Sequence, residues 1–309
     1  MPYLTPCSNK AMLVWLVILF LILLRWYIYR ADVKRIGQPA ARKRLRLSVL
    51  IMLIIYLGTL GLLLGFEKNL VYHPYSASEY WSPPPRLVFE DETLKSSAGD
   101  SIHAWWCPQK EAVFTILFNH GNAGNLSNHA WIIEAMRKEF PCNVLIYDYP
   151  GFGKSTGSPS ELGCYASAVA AYTWLTETKK IPTDKIILMG QSLGCAMACE
   201  LSVKKDHRAM ILLSPFTTIR DRGQELMPIF PVKWLMSHLY DNKSKLANYQ
   251  KPLLIGHSDA DEVIPFHHGQ QLYEAAETKD KTFYKIEGES HNAHPPGFFR
   301  AVKEFLGKS

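Results

Sequence analysis

Closely spaced cysteine pairs of the kind that bind metals are absent from this sequence. Its six cysteines are scattered along 309 residues, without the spacing of a zinc site. Cys195 and Cys199 lie four residues apart on a predicted helix, where disulfide geometry is poor, so we expect buried free thiols. His291 and His294 have helical spacing, but a loop is expected there. No metal and no cofactor are therefore predicted.

A strongly basic surface is also missing from most of the chain. The first 66 residues hold nine Lys or Arg and one acidic residue, whereas the other 243 residues hold 25 basic and 27 acidic residues. Nucleic-acid binding needs clustered positive charge on the folded domain. The slightly acidic larger part therefore argues against nucleic acid as a partner.

Two apolar runs occupy most of the first 66 residues. Residues 47–66 carry no charge, and 20 helical residues match a hydrocarbon core of roughly 30 Å. The earlier run, residues 11–24, continues through Arg25 into aromatic residues that suit a membrane interface, where Arg25 could place its charge. We predict spans at about 11–29 and 47–66. The alternative for the first run is a signal-peptide core, although little positive charge precedes it and no small-residue cleavage pattern follows.

The short loop between the two runs is basic. Short loops rich in Lys and Arg stay in the cytoplasm, which places everything from Glu67 onward on the extracytoplasmic side: periplasmic, lumenal or extracellular. A single span with a cytoplasmic amino-terminal stretch gives the same side, and only a reversed hairpin does not. The predicted domains are a membrane anchor at 1–66 and a globular domain at 67–309. The loop's charges are Arg30, Lys34, Arg35, Arg42, Lys43, Arg44 and Arg46, opposed by Asp32.

From Ile102 onward, short aliphatic or β-branched runs alternate with longer helical patterns. This alternation is typical of an α/β fold, in which a mostly parallel central sheet carries helices on both faces. Several of the runs are too apolar to face water on either side. Strands are predicted at residues 102–107, 113–119, 144–149, 185–189, 209–214, 252–257 and 281–286. Helices are predicted at residues 128–140, 161–178, 192–204, 266–278 and 297–306.

The pentapeptide Gly190-Gln191-Ser192-Leu193-Gly194 follows directly after a predicted strand and precedes a helix-forming stretch. This is the G-x-S-x-G pattern in the strand–turn–helix setting of a nucleophile elbow. Side chains two residues before or after the serine would collide in such a turn, so glycine is needed at both positions. Chance alone gives this pattern in about one chain in ten of this length, and its setting is what predicts Ser192 as a nucleophile.

A serine hydroxyl needs a base within hydrogen-bond reach and an acid that orients the base. After a nucleophile elbow the acid and then the base follow in the chain. Asp261 and His291 lie after the last two predicted strands, at the carboxyl ends where open α/β sheets assemble their sites. We predict Asp261 as the acid and His291 as the base. Asp259 and Glu262 are rival acids, and His294 is a rival base.

The oxyanion of a tetrahedral intermediate needs two main-chain donors. Leu193, the residue after the nucleophile, supplies the first. The second comes from an earlier loop, HGNAGN at 120–125, whose glycines let the main chain turn toward the serine. We predict Asn122 as this donor. A glycine-rich turn without a ligand is the alternative, favoured only if the three predicted catalytic residues were absent.

These motifs, with several others, resemble the α/β-hydrolase superfamily. The resemblance covers roughly residue 67 to the end and is strongest to membrane-anchored hydrolase-domain proteins, among them protein depalmitoylases and lysophospholipid lipases. It implies the α/β-hydrolase fold and a Ser/His/Asp triad. The further segments that carry it are DYPGFGKS at 148–155, SPF at 214–216, DEVIPF at 261–266 and SHN at 290–292.

Two segments of the chain depart from a known motif. DYPGFGKS is not a phosphate-binding loop, because Asp148 stands where such a loop has glycine, and the family uses this segment structurally. The family often has His-Gly at the start of the acid loop, whereas this chain has His257-Ser258.

The stretch between Ser214 and Pro252 bears on the substrate. About 37 residues suffice for one or two helices over the site, and their apolar content favours an acyl chain, with an ordinary packed helix pair as the alternative. The prediction is a membrane-anchored serine hydrolase that cleaves a carboxylic ester or thioester of a lipid or other acyl substrate. A serine peptidase or small-ester hydrolase is the first alternative, and a non-catalytic membrane interaction module is the second.

Overall fold

The computed structural model describes residues 6–293 and 295–308. The chain divides into two compact units. The first comprises the described residues up to Glu67 together with Gly223–Ser237, and the second comprises Lys68–Arg222 and the chain from His238 onward. The first unit thus takes in a short mid-chain segment that the predicted boundary at residue 66 assigns to the globular domain.

Two long helices form most of the first unit. They are α1 (Pro6–Ile36) and α2 (Gln38–Gly65), which pack on each other and meet at Gly37, whose φ of 79° suits glycine. Arg25 Nε donates to Ser48 Oγ across the pair at 2.9 Å. Of the described residues, α2 alone is a helix long and apolar enough to cross a membrane, a test that core helices and signal sequences can also pass.

An eight-stranded sheet organises the second unit. Its spatial order is β1-β2-β4-β3-β5-β6-β7-β8. Strand β2 runs antiparallel to both of its neighbours, and all other pairs are parallel. The predicted mostly parallel sheet is therefore confirmed. The strands are β1 (Glu90–Lys95), β2 (Ser101–Cys107), β3 (Phe114–Asn119), β4 (Cys142–Tyr147), β5 (Ile186–Gln191), β6 (Ala209–Leu213), β7 (Leu253–Ser258) and β8 (Lys281–Ile286).

The described residues also form ten further α-helices, a π-helical turn at Trp174–Thr178 and a 3-10 turn at Thr183–Lys185. The α-helices are α3 (Glu67–Val71), α4 (Leu126–His129), α5 (Trp131–Arg137), α6 (Glu161–Thr173), α7 (Gly194–Lys204), α8 (Ile219–Leu226), α9 (Val232–Leu235), α10 (Asn242–Ala247), α11 (His267–Ala275) and α12 (Pro296–Lys308). Helices α5 and α12 share one apolar cluster with alternate residues of the central strands. Because strand side chains alternate between faces, this cluster covers one face of the sheet. Helices α6, α7, α10 and α11 contact one another instead and contribute nothing to that cluster.

Apart from shifts at the ends of several elements, the structure differs from the sequence prediction most clearly at three places. Strand β1 is additional: its sequence EDETLK has little strand propensity, and it forms by antiparallel pairing with β2 while burying Leu94 alone. The predicted helix at 128–140 is divided at Ala130 into α4 and α5. The predicted helix at 192–204 begins only at Gly194, because the two preceding residues form the turn.

Candidate active site

The turn between β5 and α7 holds Ser192 in a strained conformation with φ of 50°. A Cβ on Gly190 would lie 2.5 Å from the main-chain oxygen of Gly194. A Cβ on Gly194 would overlap the main-chain carbonyl of Asn119. Both glycines of the motif are therefore required by close backbone approach, which leaves the serine at the carboxyl edge of the sheet.

The three predicted catalytic side chains form one hydrogen-bonded row. Ser192 Oγ lies 3.0 Å from His291 Nε2, and His291 Nδ1 lies 2.7 Å from Asp261 Oδ2. All three residues are buried. With Nδ1 donating to the carboxylate, Nε2 is left to accept the serine proton. Three loops thus bring together the residues predicted as nucleophile, base and acid.

The carboxylate of Asp261 is fixed by its own loop. Its Oδ1 accepts hydrogen bonds from the main-chain N–H groups of Val263 at 2.9 Å and Ile264 at 2.7 Å. Burial opposes ionisation of this carboxyl, but hydrogen bonds from His257 and His291 outweigh it and hold the pKa of Asp261 below its ordinary value. The acid is therefore ionised at neutral pH.

The rival residues have other partners. Asp259 accepts from Gly288 N at 2.7 Å and pairs with Lys285 Nζ at 2.9 Å. Glu262 accepts from the main-chain N–H of His291 at 3.1 Å and so holds the backbone of the base, not its ring. His294 lies outside the described residues.

The two predicted oxyanion donors are available at the elbow. Within residues 6–293 and 295–308, the main-chain N–H groups of Leu193 and Asn122 have no hydrogen-bond acceptor. The side chain of Asn122 is engaged: its Nδ2 donates to Val71 O at 2.6 Å, and its Oδ1 accepts from His73 N at 3.2 Å. A Cβ on the neighbouring Gly121 would lie 3.6 Å from Ser192 Cβ, so this loop passes close to the nucleophile.

The buried carboxylate of Asp148 supports the loop at 120–125, which contains the predicted oxyanion donor Asn122. Asp148 Oδ1 accepts from Leu126 N at 2.7 Å and lies 3.5 Å from His120 Nε2, while His120 Nδ1 lies 2.8 Å from Gly121 O. Burial opposes ionisation of Asp148, but His103 and His120 lower its pKa overall. The segment DYPGFGKS therefore packs against the loop as a structural element.

Sequence reasoning did not find His257 as part of the site. This residue lies next to the end of the buried strand β7, and its Nε2 lies 2.8 Å from Ile264 O and 3.4 Å from Asp261 Oδ2. The available signal was a histidine within an otherwise apolar strand, because a buried polar group needs a partner.

The thiols of Cys195 and Cys199, in the helix that follows the turn at Ser192, are unreactive. Cys195 and Cys199 are buried and unpaired with other cysteines, which confirms the expectation of free thiols. Burial raises the pKa of Cys195 well above its ordinary value and that of Cys199 to about 12. Both remain protonated at neutral pH and are poor nucleophiles.

Comparison with known proteins identifies the family. A family model described as alpha/beta hydrolase fold matches residues 115–231. The α/β-hydrolase domain-containing protein WAV2 of Arabidopsis thaliana is 31% identical over 251 residues, which cover 73% of this chain and 80% of that protein. The chain belongs to the α/β-hydrolase family. Protein bem46 of Schizosaccharomyces pombe shares 28% identity with this α/β-hydrolase over 283 residues, covering 86% of the chain and 94% of bem46.

A solved structure supports the same fold. An esterase of Pyrococcus furiosus superposes on the α/β-hydrolase chain with a TM-score of 0.63 at 19% identity, and the match covers 77% of this chain and 97% of the esterase. The resemblance inferred from the motifs is confirmed at the level of the superfamily by the family model and by WAV2.

Proposed function

We propose that this α/β-hydrolase is a membrane-anchored serine hydrolase that cleaves a carboxylic ester or thioester through an acyl-enzyme. The hydrogen-bonded row of Ser192, His291 and Asp261 carries the proposal, because it has the order and roles of a nucleophile, a base and an orienting acid. The esterase named among its structural relatives supports an ester as the bond class.

The proposed reaction has two halves. In acylation, Ser192 Oγ attacks the acyl carbonyl carbon and its proton moves to His291 Nε2. The main-chain N–H groups of Leu193 and Asn122 stabilise the charge that develops on the carbonyl oxygen. The bond to the leaving alcohol or thiol then breaks, and His291 returns the proton to that group. In deacylation, water gives a proton to His291 Nε2 and its oxygen attacks the acyl carbon. The bond from the acyl carbon to Ser192 Oγ then breaks, His291 returns the proton to Oγ, and the carboxylic acid leaves.

Membrane anchoring by residues 1–66 is the second part of the proposal, with residues 67–309 carrying the catalysis. Its support is the surface of α2, where Leu47, Ile54 and Leu62 are each more than half exposed. A helix that is apolar all round is suited to a bilayer, since water is an unfavourable solvent for it. The basic loop between the apolar runs favours an extracytoplasmic catalytic domain. A catalytic domain tethered beside a bilayer works close to lipid esters, which supports a lipid or other acyl substrate.

Activity-based labelling tests the proposal. The wild-type protein in detergent should react covalently with a fluorophosphonate probe, and Ser192→Ala should lose the label. Ser202→Ala on α7 is the matched control and should label normally, because its Oγ donates only to Cys199 O. Equal labelling of the wild type and Ser192→Ala would exclude this serine as the nucleophile.

A substrate panel then tests the bond class. The wild-type enzyme is assayed with lysophospholipids, long-chain acyl thioesters and aminoacyl amides. We expect turnover of the lysophospholipids or of the thioesters. Preference for the amides would make the protein a peptidase. A protein that neither labels nor turns over any substrate would be a membrane interaction module.

A further inference from the structure

The mid-chain segment Gly223–Ser237, here called the insert, packs on helix α2 within the first unit. The rings of Tyr56 and Phe230 stack with centroids 5.0 Å apart and an interplanar angle of 18°. The hydroxyl of Tyr56 donates to the main-chain oxygen of Ile229 at 3.0 Å. Tyr56 lies inside the predicted span at 47–66, so the insert contacts that span directly.

A second attachment holds the end of the insert. Buried Glu67 accepts hydrogen bonds through Oε2 from Ser237 N at 3.0 Å and from Ser237 Oγ at 3.1 Å. Glu67 follows the end of α2, whereas Tyr56 lies nine residues before Gly65, a rise of roughly 14 Å along the helix. The insert is therefore fixed to α2 at two levels, the deeper of which lies well inside the apolar run.

The insert presents apolar side chains away from these contacts. Leu226 and Trp234 are 61% and 77% exposed, and Ile229 and Leu235 are also exposed. Residues 226–232 contain no charge. Lys233 and Trp234 follow directly, and a basic residue beside a tryptophan suits the headgroup region of a bilayer.

Most main-chain polar groups at the tip of the insert have partners within the protein. A bilayer core offers no water, so main-chain polar groups there must find partners in the protein. Pro228 and Pro231 have no N–H to satisfy. Phe230 N donates to Met227 O at 3.1 Å. Among the described residues, the N–H of Ile229 is the one donor of residues 227–231 that has no acceptor.

One side-chain amide lies beside three of the tip carbonyls. Gln224 Nε2 is 3.4 Å from Met227 O, 3.4 Å from Pro228 O and 3.0 Å from Phe230 O. Its two hydrogens can serve Pro228 and Phe230, because Met227 O already accepts from Phe230 N. The hydroxyl of Tyr56 donates to Ile229 O, so all four consecutive carbonyls from Met227 to Phe230 have a donor within the protein. An exposed loop in water does not need a protein donor for every carbonyl.

We infer that residues 226–232 of the insert enter the bilayer beside α2, on the side where α2 ends at Gly65. The occupant of this apolar surface is membrane lipid, because the surface continues from a helix whose own exposed side chains are apolar. The inference rests on the proposed anchoring through α2. It adds to that anchor a second membrane contact from the chain between β6 and β7.

Spin-label accessibility in lipid vesicles tests this inference on the full chain. Five native cysteines are buried, and Cys7→Ser removes the sixth, so a nitroxide can be attached at Leu226→Cys or Ile229→Cys. Leu53→Cys on α2 is the lipid reference, and exposed Val113→Cys in the second unit is the water reference.

Collisions of the spin label with oxygen, which is enriched in lipid, are compared with its collisions with a water-soluble nickel chelate. Labels at Leu226 and Ile229 should lose nickel collisions and gain oxygen collisions, as at Leu53.

Each other outcome overturns a definite statement. If Leu53 behaves as a lipid site while Leu226 and Ile229 behave like Val113, the insert stays in water and only the α2 anchor stands. If Leu53 also behaves like Val113, the proposed anchoring fails. Protection of both insert labels from both reagents would mean that a protein surface, such as a second copy of the chain, covers the tip. Unchanged thermal unfolding of each labelled variant shows that the label has not displaced the insert.

Discussion

Asp261 Oδ2 faces two imidazole rings at once. His291 Nδ1 lies 2.7 Å and His257 Nε2 lies 3.4 Å from this oxygen, and the side chains of His257 and Asp261 are fully buried. Only His291 reaches Ser192. His257 is also within 2.8 Å of Ile264 O, so it contacts both the predicted acid and the loop that carries it. Asp261 is thus held by the two rings and by the main-chain N–H groups of its own loop, which is what an acid that orients a base requires.

Asp261→Asn should reduce kcat far more than Asp259→Asn. An amide at position 261 cannot hold His291 in the tautomer that accepts the serine proton, and such a change lowers kcat by about ten-thousandfold in a well-studied triad. Asp259 binds Gly288 and Lys285 and has no contact with the base. Ester turnover by the two purified variants is compared at equal folded fraction. The reverse ranking would show that the acid loop is registered two residues wrong.

The pH dependence of stability should also report on Asp261. The folded state lowers the pKa of this carboxyl, so folding favours its ionised form. Its contribution to stability is present above the unfolded pKa of about 3.9 and is lost as pH falls below that value. Urea midpoints measured between about pH 5 and pH 3 should therefore fall more steeply for the wild type than for Asp261→Asn. Parallel curves would mean that the carboxyl gains nothing from its partners.

The features that could be predicted from the sequence are those that a short stretch of chain determines. The turn at Ser192 needs glycine two residues to either side, and the apolar runs of β5, β6 and β7 identify buried strands without tertiary information. The contact of His257 with Asp261 was not predicted, because the two residues lie four positions apart at a strand end and in a loop, where spacing alone does not determine which side chains meet. Strand β1 escaped notice because pairing with β2, not its own acidic sequence, makes it a strand.

The insert shows the same limit more strongly. Its apolar residues predicted a covering for the acyl chain, yet the structure groups it with the amino-terminal helices. The contacts responsible join residues 170 or more positions apart, as in the bonds from Ser237 to Glu67 and from Tyr56 to Ile229. No periodicity within the segment itself encodes such a pairing.

Gly194→Ala should destabilise the protein, whereas Gly307→Ala should not. A methyl group at position 194 overlaps the main-chain carbonyl of Asn119, and backbone cannot move aside as a flexible side chain can. Overpacking of this kind typically costs about 1–3 kcal/mol and occasionally more. A methyl group at position 307 meets nothing within 4 Å and lies in helix α12, where alanine is favoured over glycine. Thermal unfolding of both variants checks the contrast, and equal unfolding temperatures would contradict the tight elbow.

The last prediction concerns the side of the membrane on which the hydrolase domain lies, and it rests on charge. A short loop rich in Lys and Arg stays in the cytoplasm, and long domains have little influence on orientation. A reporter active only outside the cytoplasm, fused after Ser309, should therefore be active, and a cytoplasmic reporter at the same point should be silent. Neutralising four basic residues that precede the apolar run of α2 should weaken this orientation, while neutralising four exposed lysines of the second unit should not. The predicted basic loop is helical here, so these four residues, Arg42, Lys43, Arg44 and Arg46, lie in the first part of α2. The control residues are Lys110, Lys138, Lys279 and Lys303. If the cytoplasmic reporter is the active one in the intact protein, the hairpin is reversed. Acyl-proteins at the cytoplasmic face then become the first substrates to test, because they would lie on the same side of the membrane as the site.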